Sequence, residues 1–166
     1  RFIESTVVSV IGKTPIILRP GVITKEMMEQ VLHKKVHIAK AVLQEVKNNQ
    51  KVLSPGMKYK HYSPNAQVIL LRGDLQKFIK YAQTNAKSGT FALVFDGEEQ
   101  FFDIPALSYG KINNGQDQAH NIFAKLRELD KLSAKVVFVR CPNATGVGLA
   151  VYNRLIRSAG FNIVDL

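Results

Sequence analysis

The sequence predicts an α/β fold built on a small parallel sheet, and three observations carry that expectation. From residue 67 onward, apolar strand-like runs alternate with amphipathic helical stretches, the pattern of strand–helix–strand units. Two of those runs, Thr90–Phe95 and Lys135–Val139, are almost continuously apolar, as strands covered on both faces by helices are. Before residue 67 the alternation is absent, and a strand pair with one short helix stands in its place.

Taken in order, Ser5–Ile11 is β-branched and reads as a strand, Gly12-Lys13 as a turn, and Pro15–Arg19 as a second strand, together a β-hairpin. Pro20-Gly21 ends it. Thr24 is expected to N-cap a helix over Lys25–Leu32, with Met27, Met28, Val31 and Leu32 on its apolar side. A hairpin and a short helix cannot bury those faces by themselves. Residues 1–35 therefore read as the end of a larger domain, and the natural polypeptide is expected to extend further towards its N-terminus. His37–Val46 fits helix or strand, the spacing of Ile38, Val42 and Val46 favouring a helical stripe. Residues 36–66 are assigned to a linker, polar at Lys47–Lys51.

The remaining residues, 67–166, read as one small domain. Val68–Leu71 is a strand. Asp74 can cap a helix to about Asn85 with Leu75, Phe78, Ile79 and Ala82 facing inward. Thr90–Phe95 follows as a strand, then Ile104–Leu107 as a short one. Asp117–Lys131 predicts a helix with Ala119, Ile122, Phe123, Leu126 and Leu129 on one side. Lys135–Val139 is a strand, Gly148–Ala159 a helix and Asn162–Val164 the last strand. The alternation implies parallel strands joined by right-handed crossovers, with helices on both faces.

Net charge is +10, and the excess is uneven: residues 1–66 carry eleven Lys and Arg against four Asp and Glu, residues 67–166 twelve against nine. A basic excess suits an anionic partner such as nucleotide, phosphate or RNA, and equally a solvated surface. The single cysteine, Cys141, excludes a disulfide within the chain and fits a reducing, cytoplasmic setting. No apolar run approaches the roughly 20 residues of a membrane span, so no membrane partner is expected.

The densest chemistry lies in Ser54-Pro55-Gly56-Met57-Lys58-Tyr59-Lys60-His61-Tyr62-Ser63-Pro64, a turn-forming stretch bracketed by prolines, with two lysines, two tyrosines and no acid. Such a set suits phosphate or nucleotide recognition, lysine as point charge and tyrosine as stacking face and donor; the alternative is a linker packed on a neighbouring domain. Arg19, at a strand end, is either placed for bidentate phosphate contact or an ordinary surface arginine. Ser5 and Thr6 can hydrogen-bond a polar ligand or be ordinary strand residues. Asn143-Ala144-Thr145-Gly146-Val147-Gly148, between a strand and a helix, is either an anion-approach loop or a tight turn with an N-cap. His33, His37, His61 and His120 are scattered, so no metal site is expected. Asp96, Glu98, Glu99 and Asp103 read as a solvated acidic cluster.

At Glu4-Ser5-Thr6-Val7-Val8, at Ile17-Leu18-Arg19-Pro20-Gly21-Val22-Ile23-Thr24 and at the proline-bracketed stretch, the chain resembles the two-domain form of threonylcarbamoyl-AMP synthase. That family joins a YrdC-type catalytic domain through a linker to a C-terminal Rossmann-like domain, and this chain resembles its C-terminal half. The resemblance implies a nucleotidyltransferase that condenses L-threonine, bicarbonate and ATP to threonylcarbamoyl-AMP with release of pyrophosphate, for threonylcarbamoyl modification of tRNA adenosine. It implies that Ser5 contacts L-threonine and that Arg19, Ser54, Lys58, Tyr59 and Tyr62 contact ATP, which Mg2+ accompanies. No protein ligand to Mg2+ and no catalytic residue is assigned. The family's basic nucleotide-binding motif lies upstream of Glu4, so this chain alone is expected to be inactive. Downstream tRNA-modification proteins and RNA are further implied partners. Two other readings stand beside the enzyme: a Rossmann-like nucleotide- or RNA-binding module without catalysis, and a C-terminal domain that only anchors the linker as a lid.

Overall fold

The β-branched run near the start forms β1 (Val7–Ser9), which pairs antiparallel with β2 (Ile16–Arg19) in the computed structural model, whose described residues are 5–44 and 64–166. The register slips between Val7 and Val8, setting Val7 opposite Arg19. The Thr24 hydroxyl accepts from the Met27 amide and starts α1 (Lys25–Leu32), as an N-cap does. None of the residues of α1 is buried: Met27, Val31 and Leu32 are exposed, as are Val10, Ile11, Val22 and Ile23 beside them.

The expected helical stripe from Ile38 is replaced by two shorter elements. His37–Ile38 forms β3, parallel to β2, and Lys40–Leu43 forms the one-turn helix α2. The chain enters this strand because α1 ends at His33 in the left-handed region (φ 50°), which turns it back along β2. The amides of His37 and Ala39 then donate to the carbonyls of Pro15 and Ile17, both at 2.9 Å. Ordered pairing thus continues past residue 35, into the stretch read as linker.

The second sheet has five strands, all parallel: β4 (Gln67–Arg72), β5 (Thr90–Val94), β6 (Ala106–Ser108), β7 (Val136–Arg140) and β8 (Ile163–Asp165), in the spatial order β6-β5-β7-β4-β8. Its helices are α3 (Leu75–Asn85), α4 (Gly115–Lys131) and α5 (Gly148–Ser158). Because side chains alternate along a strand, Val68 and Leu70 join Leu93, Val137 and Val139 in a core under α4 and α5. Leu71, Ala92, Val94 and Phe138 turn to the other face, under Phe78 and Ala82 of α3. The expected sheet with helices on both faces is therefore present.

Boundaries moved where local chemistry decides them. Strand β6 starts at Ala106, because Pro105 has no N–H to donate; its carbonyl accepts from Ala92 instead. Helix α4 starts two residues early, since Asn114 caps it by accepting from the Asp117 amide. Among the described residues no helix is long and apolar enough to cross a membrane.

Candidate functional site

Of the residues singled out from sequence, Ser5 and Arg19 are brought together. Arg19 ends β2, and its Nε donates to the Ser5 carbonyl at 3.0 Å, across the displaced register of the hairpin. The bond points a half-buried guanidinium along the strand end, with Pro20 and Gly21 buried behind it. The Thr6 hydroxyl donates to the Ile23 carbonyl at 2.8 Å, so it closes the hairpin onto the loop before α1. Ser54, Lys58, Tyr59, Tyr62 and His61 lie outside the described residues, as does Glu4. Beside the hairpin, Lys25, His33, Lys34 and Lys35 wall an open, basic basin of about 530 Å3. Glu29 sits within it; the backbone N–H of Val36 (2.8 Å), followed by Lys25, holds its carboxyl below the usual range.

His33 and His37 share no helix, since one ends α1 and the other opens β3. Among the described residues no three His, Cys, Asp or Glu side chains converge as metal ligands.

The acidic cluster is not uniformly solvated. Glu98 is buried and meets Arg140, the last residue of β7, through two hydrogen bonds: Nε to Oε2 at 3.0 Å and NH2 to Oε1 at 3.1 Å. Arg140 also donates to the Gly73 carbonyl (2.7 Å), and its guanidinium lies 5.3 Å from the Phe95 ring centre and 5.8 Å from that of Phe78. Glu98 accepts from the Phe95 amide, and the Tyr109 hydroxyl donates to the Arg140 carbonyl at 2.7 Å. These bonds tie the carboxyl ends of β4, β5, β6 and β7 together. Each guanidinium nitrogen thus donates to Glu98 or Gly73, and this buried pair shapes the sheet edge.

The Asn143–Gly148 turn is a tight connection whose glycines answer to packing. A Cβ on Gly148 would collide with the Asn143 carbonyl, and one on Gly115 would stand 2.5 Å from the Gly148 amide nitrogen. The N-terminal ends of α4 and α5 therefore cross glycine on glycine. Val147 occupies the N-cap position of α5 and makes no side-chain cap bond.

Next to this turn, the carboxyl ends of β4 and β7 flank a crevice of about 580 Å3. They part because α3 leaves β4 towards one face and α5 leaves β7 towards the other, which is where open α/β sheets take ligands. Arg72, Cys141 and Tyr152 line it, and Gln44, just after α2, reaches its rim. Arg72 is bound by Asp165 through both carboxylate oxygens, one contact at 2.9 Å, and this partner holds the Asp165 carboxyl below the usual range. Burial pushes the Cys141 thiol up to about 11. Arg72 and Tyr152 belong to no motif in the sequence. A signal was present: Arg19, Arg72 and Arg140 each occupy the last position of a strand, the edge where ligands gather.

Comparison with known proteins gives a consistent picture. Residues 23–160 match the family described as threonylcarbamoyl-AMP synthase, C-terminal domain. The chain is 33% identical over 165 residues to a threonylcarbamoyl-AMP synthase of Bacillus subtilis (strain 168), covering 98% of this chain and 46% of that protein. It is 30% identical to the protein of that name from Pyrococcus abyssi, covering 99% of this chain and 48% of the relative. Among solved structures, P. abyssi Sua5 complexed with L-threonine superposes with a TM-score of 0.77 at 28% identity, over 98% of this chain and 47% of that one. The chain thus spans about half the length of the curated relatives it matches.

Proposed function

Because the chain belongs to the threonylcarbamoyl-AMP synthase C-terminal-domain family, we propose that it is the C-terminal part of an L-threonylcarbamoyladenylate synthase. Such an enzyme converts L-threonine, bicarbonate and ATP to threonylcarbamoyl-AMP and pyrophosphate for modification of tRNA adenosine. The observation that carries the reading is the joint position of Ser5 and Arg19, two residues of the family's motifs, linked by a 3.0 Å hydrogen bond at one hairpin edge. That a relative's structure holds L-threonine supports L-threonine as a substrate.

In this reading residues 1–35 complete a YrdC-type catalytic domain, residues 36–66 form the connection and residues 67–166 the Rossmann-like domain. Arg19 binds the phosphates of ATP: a guanidinium fixed by the Ser5 carbonyl is pre-oriented for charge-assisted hydrogen bonds. Ser54, Lys58, Tyr59 and Tyr62 supply further ATP contacts from the connection. Magnesium would neutralise phosphate charge; among the described residues no acidic group converges to hold it, so none is assigned to it. The product passes to downstream tRNA-modification proteins, with RNA as a further contact. An unpaired cysteine suits a reducing, cytoplasmic setting.

The test fuses the N-terminal half of the B. subtilis relative to this chain and follows threonine-dependent pyrophosphate release. The fusion should turn over, and this chain alone should not. Arg19→Ala in the fusion should lower kcat/KM for ATP by about tenfold to a hundredfold, the loss of one charge-assisted contact. An active fusion indifferent to Arg19→Ala would remove Arg19 from the site.

A further inference from the structure

The crevice between β4 and β7 has a chemistry of its own, independent of the hairpin edge. Its volume of about 580 Å3 falls within the ~300–1,000 Å3 of small-molecule sites. Among the described residues its one lining cation, Arg72, is answered by Asp165, so the pair brings no net charge and does not make an anion hole. What the double contact does is hold the guanidinium in a fixed plane, and a planar guanidinium stacks on flat rings. The Arg72 side chain remains more than half exposed while so held.

The other walls offer neutral polar atoms. The Tyr152 hydroxyl has no hydrogen-bond partner among the described residues, and burial, followed by neighbouring Cys141, keeps the phenol protonated. Asn143 gives its Nδ2 to Asn113 Oδ1 at 2.6 Å, which fixes the amide and leaves its Oδ1 to accept. Gln44 adds a second amide at the rim, and Cys141 stays a neutral thiol. A donor and a fixed acceptor beside a flat cation face suit a planar, uncharged ring whose edge carries both an N–H and a ring nitrogen or carbonyl.

We propose that this crevice binds a nucleobase, with Arg72 stacked on the ring and Tyr152 and Asn143 hydrogen-bonded to its edge. The base can belong to a free nucleotide or to single-stranded RNA, and the two sources share this chemistry. The site lies on the parallel-sheet domain and needs neither Ser5 nor Arg19, so it stands or falls apart from the synthase reading.

The probes are adenosine, ribose 5-phosphate and a short oligo(A), each titrated into the 15N-labelled chain. Adenosine should shift the amides of Gly73, Cys141, Asn143 and Tyr152, and ribose 5-phosphate should leave them in place. Arg72→Lys, which keeps the charge but loses the planar fork, should weaken adenosine binding at least about tenfold. Ala144→Trp, in the exposed loop of the crevice, should block it, and the amide spectrum verifies that each variant is folded. Oligo(A) binding at least about tenfold tighter than adenosine assigns the base to RNA, and equal binding assigns it to a free nucleotide. The proposal is overturned by absence of shifts at these amides, by shifts confined to Ser5–Ile23, by equal binding of ribose 5-phosphate, or by wild-type affinity in folded Arg72→Lys.

Discussion

Glu98 and Arg140 form a buried ion pair whose value lies in its completeness. Each charge has left water, and the Gly73 carbonyl, the Phe95 amide and two aromatic faces satisfy what the pair leaves over. Glu98→Ala strands the guanidinium and should cost about 3–5 kcal/mol, whereas Glu98→Met combined with Arg140→Met strands no charge and should cost far less. Urea unfolding of the three proteins measures both; a double variant no more stable than the single would mean that the contacts to Gly73 and the rings matter more than the charges. Cys141 makes the complementary case for a half-buried acid. Burial raises its thiol from 9.0 to about 11, although Arg72 pulls the other way. The folded state therefore disfavours thiolate, and the stability this represents is present below pH 9 and is lost as pH rises through 11. At pH 8, alkylation of the native thiol should run about a hundredfold slower than in urea, because two pK units separate the thiolate populations. Equal rates in the two conditions would show that the thiol is solvated.

At the scale of elements, the crossing of α4 and α5 rests on the bare Cα of Gly115, and the turn into α5 on that of Gly148. Gly115→Ala and Gly148→Ala each force a methyl group into backbone and should cost about 1–3 kcal/mol in denaturant unfolding. Gly146→Ala meets open space and pays only for its left-handed φ of 54°, about 1 kcal/mol. If all three cost the same, backbone conformation rather than the helix crossing sets the requirement. The contrast also marks what a sequence carries. Caps are local, so Thr24 and Asp74 announced α1 and α3 correctly, and the apolar runs at Val68 and Thr90 announced β4 and β5. Strand β3 was missed because two residues hold no period, and because its existence depends on the carbonyls of Pro15 and Ile17, twenty-odd residues away. Glu98 read as solvated because its partner is 42 residues distant, and Arg72 went unremarked because Asp165 is 93 residues away. Ser5 and Arg19 were each named from motifs, but their mutual bond follows from the slipped register at Val7.

Across the whole molecule, the two sheets meet where α2 lies on α5. Val42 is fully buried there, its carbonyl accepts from Asn153 Nδ2 at 2.7 Å, and the neighbouring Ala41 carbonyl accepts from Arg157 at 3.1 Å. A one-turn helix has too few internal bonds to persist alone, so α2 is ordered by this contact, and β3 just before it is drawn along β2 by the same anchor. Among the described residues, α2 is then the main link through which the small sheet shares the stability of the large one. Val42→Ala removes buried methyl groups and should cost about 1–3 kcal/mol at the interface, while leaving the cores under α3, α4 and α5 intact. Native-state hydrogen exchange reads the consequence by position. In Val42→Ala the amides of His37 and Ala39, bonded to Pro15 and Ile17, should exchange about tenfold to a hundredfold faster, whereas those of β4 and β7 should hardly change. Asn153→Ala should reproduce the pattern by leaving the Val42 carbonyl unpaired. Equal acceleration in both sheets would mean that they unfold as one unit and that α2 is not a separable joint. If it is separable, the hairpin bearing Ser5 and Arg19 is positioned on the parallel-sheet domain through a single helical turn.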